Sequence, residues 1–564
     1  MKKLIECVPN ISEGRDMNII NQVTAEIEKV DGVKLLDVDP GATTNRTVIT
    51  FVGEPEPVCE AAYRVVKKAS ELIDMSQHHG AHPRQGATDV CPLIPVSNIS
   101  MEEVVEYAHR LAKRLGDELQ IPIYCYENAA RIAERRNLAY CRTGEYESLS
   151  SRLGSEQWKP DFGPNCWNDH VARTGATQVG ARDFLVAINY NLNSTSTRRA
   201  NAIAFDVREK GRPKREGGKP SGKPIKDENG ETVMIPGTLK GTKAIGWFIE
   251  DYGIAQVSMN ITSIKQTPVH VAFDEVCRCA ANRGIRVTGC EIVGLIPKSV
   301  LIDAGKHYLS LQQRSLGVSE EEIMKVAVKS MGLDDLKPFN PKEKIIEFLI
   351  EEDTKKLVDL TCFGFCEETA SESPAPGGGS VSAMMGAMGA SLGTMVANLT
   401  GGKAAYDDQW DKFSAVAEKG QSIKDELLRL VDEDTNAFNL IMNAFGMPKK
   451  TDDEKKARTA AIQEATRFAT EVPFRTMQKS FEAFEICRAM VEWGNPASVT
   501  DGGVGVLAAR SAVMGAHLNV KINASSLKDE DFKKEILDKA AAIEAAAIKE
   551  EAEILAIVNQ KIGL

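Results

Sequence analysis

Residues 78–84 read His-His-Gly-Ala-His-Pro-Arg, which places three of the chain's eight histidines within five positions. Imidazole titrates near pH ~6.5, so it is the side chain best suited to moving protons at neutral pH. Gly80 is costly inside a helix and Pro83 disfavours helical geometry at the residue before it, so the segment reads as a loop between structured runs. Imidazoles held on such a loop point to acid–base chemistry. Two alternatives stand beside that reading: a metal site, because His78 and His82 are four apart, and a surface loop with no catalytic part. No second Cys/His cluster offers further ligands at a recognisable spacing, and no metal is expected.

A second segment, Pro374-Ala-Pro-Gly-Gly-Gly-Ser380, precedes a run without charge from Glu372 to Lys403. Three glycines ahead of a helix expose backbone N–H groups to an anion or a polar ligand edge, so Pro376, Gly377, Gly378, Gly379 and Ser380 are read as a ligand loop. It is no nucleotide P-loop, since the Gly-Lys-[Ser/Thr] ending is missing. The run behind it is Gly, Ala, Ser and Met with GxxxG spacing at Gly389 and Gly393, which suits a buried helix better than a membrane span. Asp407, Asp408, Asp411, Asp432 and Asp434 read as helical positions on a solvated face. The Ser/Thr/Asp cluster of Gly494–Asp501 reads as helix capping.

The elements that position these residues alternate in the first half. Strands are expected at Leu4–Val8, Val33–Asp39, Arg46–Val52, Asp89–Pro95 and Ile121–Tyr126, with helices at Asp16–Val30, Pro57–Ile73 and from Met101. The order returns with strands at Phe184–Asn191, Ala244–Glu250, Ile254–Thr262 and Glu291–Ile296 and helices at Ala200–Arg208 and His270–Asn282. Two copies of a β-α-β-β-α unit predict paired ferredoxin-like α/β subdomains, 1–181 and 182–340, facing each other across a ligand cleft. Residues 341–355 read as a linker, and 356–564 as an all-α helical bundle. Glu209–Lys240, rich in Lys, Gly and Pro, reads as a mobile surface loop or as a basic flap over an anionic substrate.

Composition bounds the partners. Hydrophobic and charged fractions of 43% and 26% are those of a soluble globular protein, and a net charge of −11 gives no general affinity for nucleic acid or acidic membranes. Twelve cysteines without framework spacing read as reduced thiols of a cytoplasmic protein, and the N-terminus has no apolar run long enough for a signal peptide.

Taken together, Glu6-Cys-Val-Pro-Asn-Ile-Ser-Glu-Gly14, Leu35–Asp39, Thr44–Val48, Gly80-Ala-His-Pro-Arg84, Asp89–Pro95 and Pro160–Pro164 resemble the formiminotransferase half of the bifunctional formiminotransferase-cyclodeaminase family. Ala375–Ser380, Met447-Pro-Lys449 and Gly494-Asn-Pro496 resemble its cyclodeaminase half, so the likeness spans essentially the whole chain. The resemblance implies transfer of a formimino group from N-formimino-L-glutamate to N5 of tetrahydrofolate, then closure of N10 onto that carbon with loss of ammonia. It implies histidine degradation as the setting and tetrahydrofolate as a substrate; the charge balance leaves no nucleic-acid or membrane partner expected, and the GxxxG spacing of the Gly/Ala helix, which fits tight subunit packing, leads to the expectation of a homo-oligomer. His82 is implied as the transferase base. Folate binding is implied from Gly163 and Pro164 through Asn165, Cys166 and Trp167 to about Gly175. Asp39, ending a strand, is a candidate to orient His82 or to stabilise charge on the formimino nitrogen. The family's cyclodeaminase acid aligns at Trp410 without gaps, and a one-residue shift makes Asp411 the candidate. The alternatives are a single-activity transferase with a helical oligomerisation domain and a non-catalytic folate-binding scaffold.

Overall fold

Alternation along the first strands sets the architecture of the N-terminal unit. The computed structural model describes residues 3–42, 44–80, 83–219, 221–350 and 356–563. Strands β1 (Leu4–Cys7) and β2 (Asn10–Ile11) are one strand interrupted around Pro9, followed by α1 (Met17–Glu28), β3 (Val33–Gly41), β4 (Arg46–Gly53), α2 (Pro55–Leu72) and β5 (Thr88–Ser97). Helix α3 (Met101–Leu119) opens on a reciprocal capping box between Ser100 and Glu103 and leads to β6 (Ile123–Glu127) and β7 (Thr177–Ala181). The seven strands form one sheet, side by side as β3, β4, β1 with β2, β5, β7 and β6. Ile5, Cys7, Ile49, Phe51, Cys91, Leu93 and Cys125 all belong to the core that this sheet shares with its helices. The residues between them point to the opposite face, as a period of two requires.

The second copy runs β8 (Val186–Leu192), α4 (Thr197–Val207), β9 (Arg212–Pro213), β10 (Met234–Ile235), β11 (Thr242–Ile249), β12 (Ile254–Ile261), α5 (Val269–Ala281) and β13 (Val287–Val293). Its main sheet has the order β11, β12, β8, β13, antiparallel throughout. Counting β1 with β2, β3, β4 and β5 as the first copy's four strands, both copies place the second strand beside the third, then the first, then the fourth.

Two sequence expectations need correction here. Residues 209–240 are an ordered excursion: β9 pairs with β10, and Lys214, Ile225 and Val233 exchange backbone hydrogen bonds inside it. Its stem fits against α4 because Gly237 has no Cβ, which would lie 2.1 Å from the Arg208 carbonyl. The expected linker 341–355 carries short helices at Pro341–Lys344 and Ile346–Ile350, and fully buried Ile345 pairs with Ile296. An apolar side chain in the core fixes that segment; residues 351–355 lie outside the described ones.

The loop after α2 is held by a histidine. Asp74 caps a single turn, Met75–Gln77, and His78 follows, buried. His78 Nε2 lies 2.9 Å from the Asn45 carbonyl and its Nδ1 lies 3.3 Å from Arg84 Nε. A carbonyl only accepts and a guanidinium only donates, so this ring is neutral with its proton on Nε2. Burial, with the Arg84 charge adding to it, holds its pKa below the ordinary imidazole value. Neither nitrogen is left to ligate a metal.

Contacts divide the chain into two units, Met1–Asp303 with Met331–Glu351, and Ala304–Ser330 with Glu352–Leu564. Part of α6 (Lys298–Leu311) and nearly all of α7 (Glu320–Met331) thus group with the helical unit, although the sequence places them with the second α/β copy. The Lys306–Glu418 ion pair and the bond from the Leu316 amide to Ser414 Oγ hold them there. The other main helices are α8 (Gly378–Gly401), α9 (Trp410–Gly446), α10 (Asp452–Trp493), α11 (Val499–Ala524) and α12 (Glu530–Ile562). Helix α8 is long and apolar enough to cross a membrane, yet 61% of its apolar window is buried within the protein. A Cβ on Gly389 would sit 2.7 Å from the Gly505 carbonyl of α11, and one on Gly393 would sit 2.9 Å from Ile486 of α10. The two glycines thus let α8 approach two neighbours at once.

Two outcomes follow from this packing. Gly389→Val forces backbone apart and should destabilise the helical unit by about 1–3 kcal/mol, read as a lowered melting midpoint; an unchanged midpoint would contradict the close approach. Because folded His78 stays neutral while the unfolded ring takes a proton below pH ~6.5, its contribution is intact above that value and shrinks as pH falls through it. Denaturant titrations should show the advantage of the native protein over His78→Phe narrowing between about pH 7.5 and pH 5.5.

Candidate functional site

The sheet face left uncovered by α1–α3 lines a cavity of about 350 Å³, closed by the second sheet. From the first sheet come Glu6 and Val8 of β1, Asp37 and Asp39 of β3, Arg46, Val48 and Thr50 of β4, and Val90, Pro92 and Ile94 of β5. From the second come Ala187, Lys243, Asn260 and Val293. These are the alternate partners of the core residues, so one strand register makes both the dry face and the polar one.

Burial desolvates part of the charge on this wall, while Asp39 and Lys243 stay exposed. Glu6 is 3% exposed, and burial, opposed by Arg182, pushes its carboxyl up to about 7. Arg46 is brought down to about 10 by burial, with Asp89 opposing, and it donates to Asn10. Burial also raises Asp37, against the pull of Lys344. Arg142 pairs with buried Asp89, whose Oδ1 also accepts the Gln85 amide at 3.0 Å. Carboxylates and cations therefore face one small volume, an arrangement able to bind a zwitterion and to hand protons across it.

Leu138, Arg142 and Lys243 also line a second cavity, of about 600 Å³, with Pro83, Arg84, Glu145 and Glu147. The histidine loop thus borders the mouth of the inter-sheet cavity through Pro83, while His82 lies outside the described residues. Arg84 is tied to Glu145 and Glu147 at 3.2 and 2.7 Å.

Of the other sequence candidates in this unit, Asp39 lines the cavity. Gly163, Pro164, Asn165, Cys166, Trp167 and Gly175 are not on the walls of these two cavities. Gly163 and Gly175 have φ of +80° and +66°, and a Cβ on either would meet a backbone carbonyl, so these two glycines answer to the fold. Asn165 Oδ1 accepts the Gly154 amide, and Cys166 is exposed. Trp167 packs 6.0 Å from Tyr146, between the two glutamates of Arg84 in sequence, and is the one member near the mouth.

In the helical unit the glycine loop does border a cavity, of about 150 Å³, lined by Gly377, Gly378 and Gly379 with Asp434, Thr435, Phe438, Asn519 and Asn523. Pro376 is not on this wall. Ser380 lies beneath it, fully buried, its hydroxyl 2.9 Å from the Val431 carbonyl and 3.1 Å from Asp434 Oδ2. Asp411 stays away: it stands exposed in the first turn of α9, and 23 residues of continuous helix, roughly 34 Å at about 1.5 Å per residue, separate it from Asp434. The acid at the glycine loop is Asp434. Burial raises its carboxyl above the ordinary range, against hydrogen bonds from Ser380.

Sequence reading passed over Glu6, Arg46, Arg142, Arg182, Lys243 and Asp434. Two of them carried a mark. Glu6 interrupts the apolar strand Leu4–Val8, and Asp434 falls on the apolar stripe Leu427, Leu430, Val431, Ala437, Ile441, where an acid is out of place. Arg142, Arg182 and Lys243 come from connections and from the other copy, and only folding collects them.

Comparison with known proteins accords with this division. Residues 4–182 match the description "Formiminotransferase domain, N-terminal subdomain", residues 187–351 "Formiminotransferase domain", and residues 361–542 "Formiminotransferase-cyclodeaminase". The chain is 40% identical over 563 residues to the formimidoyltransferase-cyclodeaminase of Gallus gallus, covering 100% of both. It is 40% identical over 310 residues to the glutamate formimidoyltransferase of Thermoplasma acidophilum (55% of this chain, 93% of that one). It is 40% identical over 188 residues to the methenyltetrahydrofolate cyclohydrolase of Methylorubrum extorquens (33% and 90%). The single-activity and scaffold alternatives fall away: the chain belongs to the formimidoyltransferase-cyclodeaminase family and is a bifunctional enzyme, a folate-dependent formimidoyltransferase and a cyclodeaminase.

Proposed function

We propose that the transfer step takes place in the mixed-charge cavity between the two sheets. The observation that carries this is its lining: Arg46, Arg142, Arg182 and Lys243 beside Glu6, Asp37 and Asp39. N-Formimino-L-glutamate has two carboxylates and an amidine-like head, so cations and carboxylates in one chamber match both ends. As N5 of tetrahydrofolate bonds to the formimino carbon it turns cationic, and the neutral His82 imidazole takes its proton. The imidazolium then returns that proton to the glutamate nitrogen as its bond to carbon breaks. Asp39 serves to orient His82 or to balance charge on the formimino nitrogen.

The cyclodeaminase step is assigned to the glycine-loop cavity of the helical unit, and the pathway served is histidine breakdown in the cytoplasm. The two α/β copies are read as ferredoxin-like, supported by their shared strand order. The residues from Gly163 to Gly175 keep a part in folate binding, supported by Trp167, which packs on Tyr146 beside the glutamates of the second cavity. A homo-oligomer is supported by apolar side chains left exposed along two helices of the bundle, among them Met388 and Leu399 on α8 and Leu518 and Ile522 on α11. The excursion between α4 and β11 exposes Lys214, Lys219, Lys223 and Lys226, a cationic surface suited to the polyglutamate tail of folate, which would hold the intermediate near the enzyme between steps.

Following methenyl-folate absorbance from formiminoglutamate and tetrahydrofolate tests the reading. His82→Ala should lower that rate by roughly 10²–10⁴-fold while added 5-formiminotetrahydrofolate still cyclises; equal loss of both would refute two separate sites. Replacing the four lysines by alanine should raise KM for polyglutamated folate and leave KM for the monoglutamate unchanged; parallel changes would remove the tether.

A further inference from the structure

We propose, resting on the placement of transfer in the inter-sheet cavity, that Glu6 is the receptor for the cationic formimino group of the substrate, with nearby Arg182 taking the adjoining α-carboxylate.

Glu6 stands apart from the other acids of the chamber. It is 3% exposed and lines the cavity from β1, which is paired on both sides, with β4 and with β5. Its partners across the sheet are Val52 and Ile94, and Leu4 and Val8 lie two residues to either side, so its nearest neighbours on that face are apolar. Among the described residues no hydrogen bond or ion pair reaches its carboxyl. Asp39 by contrast is exposed, and Asp37 is half-buried and accepts a backbone hydrogen bond from Val38. A buried carboxylate without a partner is costly to keep, and a cationic ligand removes that cost. The same strain shows in the carboxyl being pushed up to about 7 by burial, with the Arg182 charge the main influence opposing it.

The substrate has the complementary pair. Its formimino group is an amidine, a strong base that is protonated at neutral pH, and the α-carboxylate sits on the carbon that bears it. Glu6 accepts from the terminal NH₂ of the amidinium, and Arg182 donates to the α-carboxylate. That NH₂ stays on the one-carbon unit throughout the transfer, so Glu6 keeps its hold while the bond to the glutamate nitrogen breaks. The glutamate nitrogen is left free for the proton that His82 returns. Holding the amidine in its protonated form also keeps its carbon electrophilic toward N5. N-Formyl-L-glutamate has the same two carboxylates but a neutral formamide, which offers no cation to a carboxylate at position 6.

Formimino transfer by the full-length enzyme is followed as glutamate release, with N-formyl-L-glutamate as a competitive inhibitor. The assay runs at about pH 8, above the value to which burial raises Glu6. Glu6→Gln should raise KM for formiminoglutamate by roughly 10–100-fold, while the Ki of N-formyl-L-glutamate does not rise. Glu6→Asp, which keeps the charge but withdraws it by one methylene, should show the same split with a smaller rise. Arg182→Gln should raise KM and Ki together, since both molecules carry the α-carboxylate. An unchanged KM in Glu6→Gln overturns the proposal. A parallel rise of KM and Ki in that variant overturns it too, because it marks a structural role. So does the split appearing in Asp39→Asn in place of Glu6→Gln. If Glu6→Gln does not fold, Glu6→Asp decides by the same comparison. Should the Glu6 variants keep the native KM while Arg182→Gln and Lys243→Ala raise both constants, the cavity keeps its role and Glu6 loses its own. No change in either constant in any of these variants removes the transfer step from the cavity as well.

Discussion

Everything in the N-terminal unit depends on a register of two. Along β1, β4 and β5 each residue bound for the helix-covered core is followed by one bound for the inter-sheet cavity: Ile5 then Glu6, Ile49 then Thr50, Leu93 then Ile94. A slip of one residue would bury Glu6 and Arg46 among aliphatic side chains and turn Ile5 and Phe51 toward the polar chamber. The apolar face is therefore what enforces the placement of the charges, and no element dedicated to the site is needed. Folding has also stripped much of the water from Glu6 and Arg46, as the rise of one and the fall of the other show. A ligand of matching charge meets groups already desolvated and fixed, which strengthens each contact and removes reorganisation from the reacting step.

The helical unit solves the same problem by subtraction. Helices of ordinary composition stand about 8–10 Å apart, a spacing set by the side chains at their contact, and each Cβ there limits how closely a neighbour can approach the backbone. Glycine at 379, 389 and 393 lets α8 close on α9, α11 and α10 in turn. At 389 and 393 the vacated space is filled by a neighbouring backbone and by Ile486, while at 379 it is filled by the Asp434 carboxyl. The small-residue pattern thus admits neighbouring backbone and side chains along most of the helix and a carboxyl group at its start.

Much of the architecture was legible because periodicity is local. The strands and helices of both α/β copies, and the buried character of α8, follow from spacing that a short window contains. What escaped depends on contacts distant in sequence. Residues 304–330 have the amphipathic pattern of any helix, and long-range contacts such as the Lys306–Glu418 pair, the Leu316–Ser414 bond and the bonds from Asn398 and Gln421 to the Gly317 carbonyl decide which unit they join. Residues 209–240 have the composition of a flexible linker, yet backbone pairing orders them, and such pairing is indifferent to side-chain type. The histidine loop reads first as acid–base chemistry, with a metal site and a plain surface loop beside it, whereas His78 is a fastener whose two nitrogens are both engaged. Asp434 was hidden by a rule that is right for most acids on helices, and the exception lay in its position on an apolar stripe.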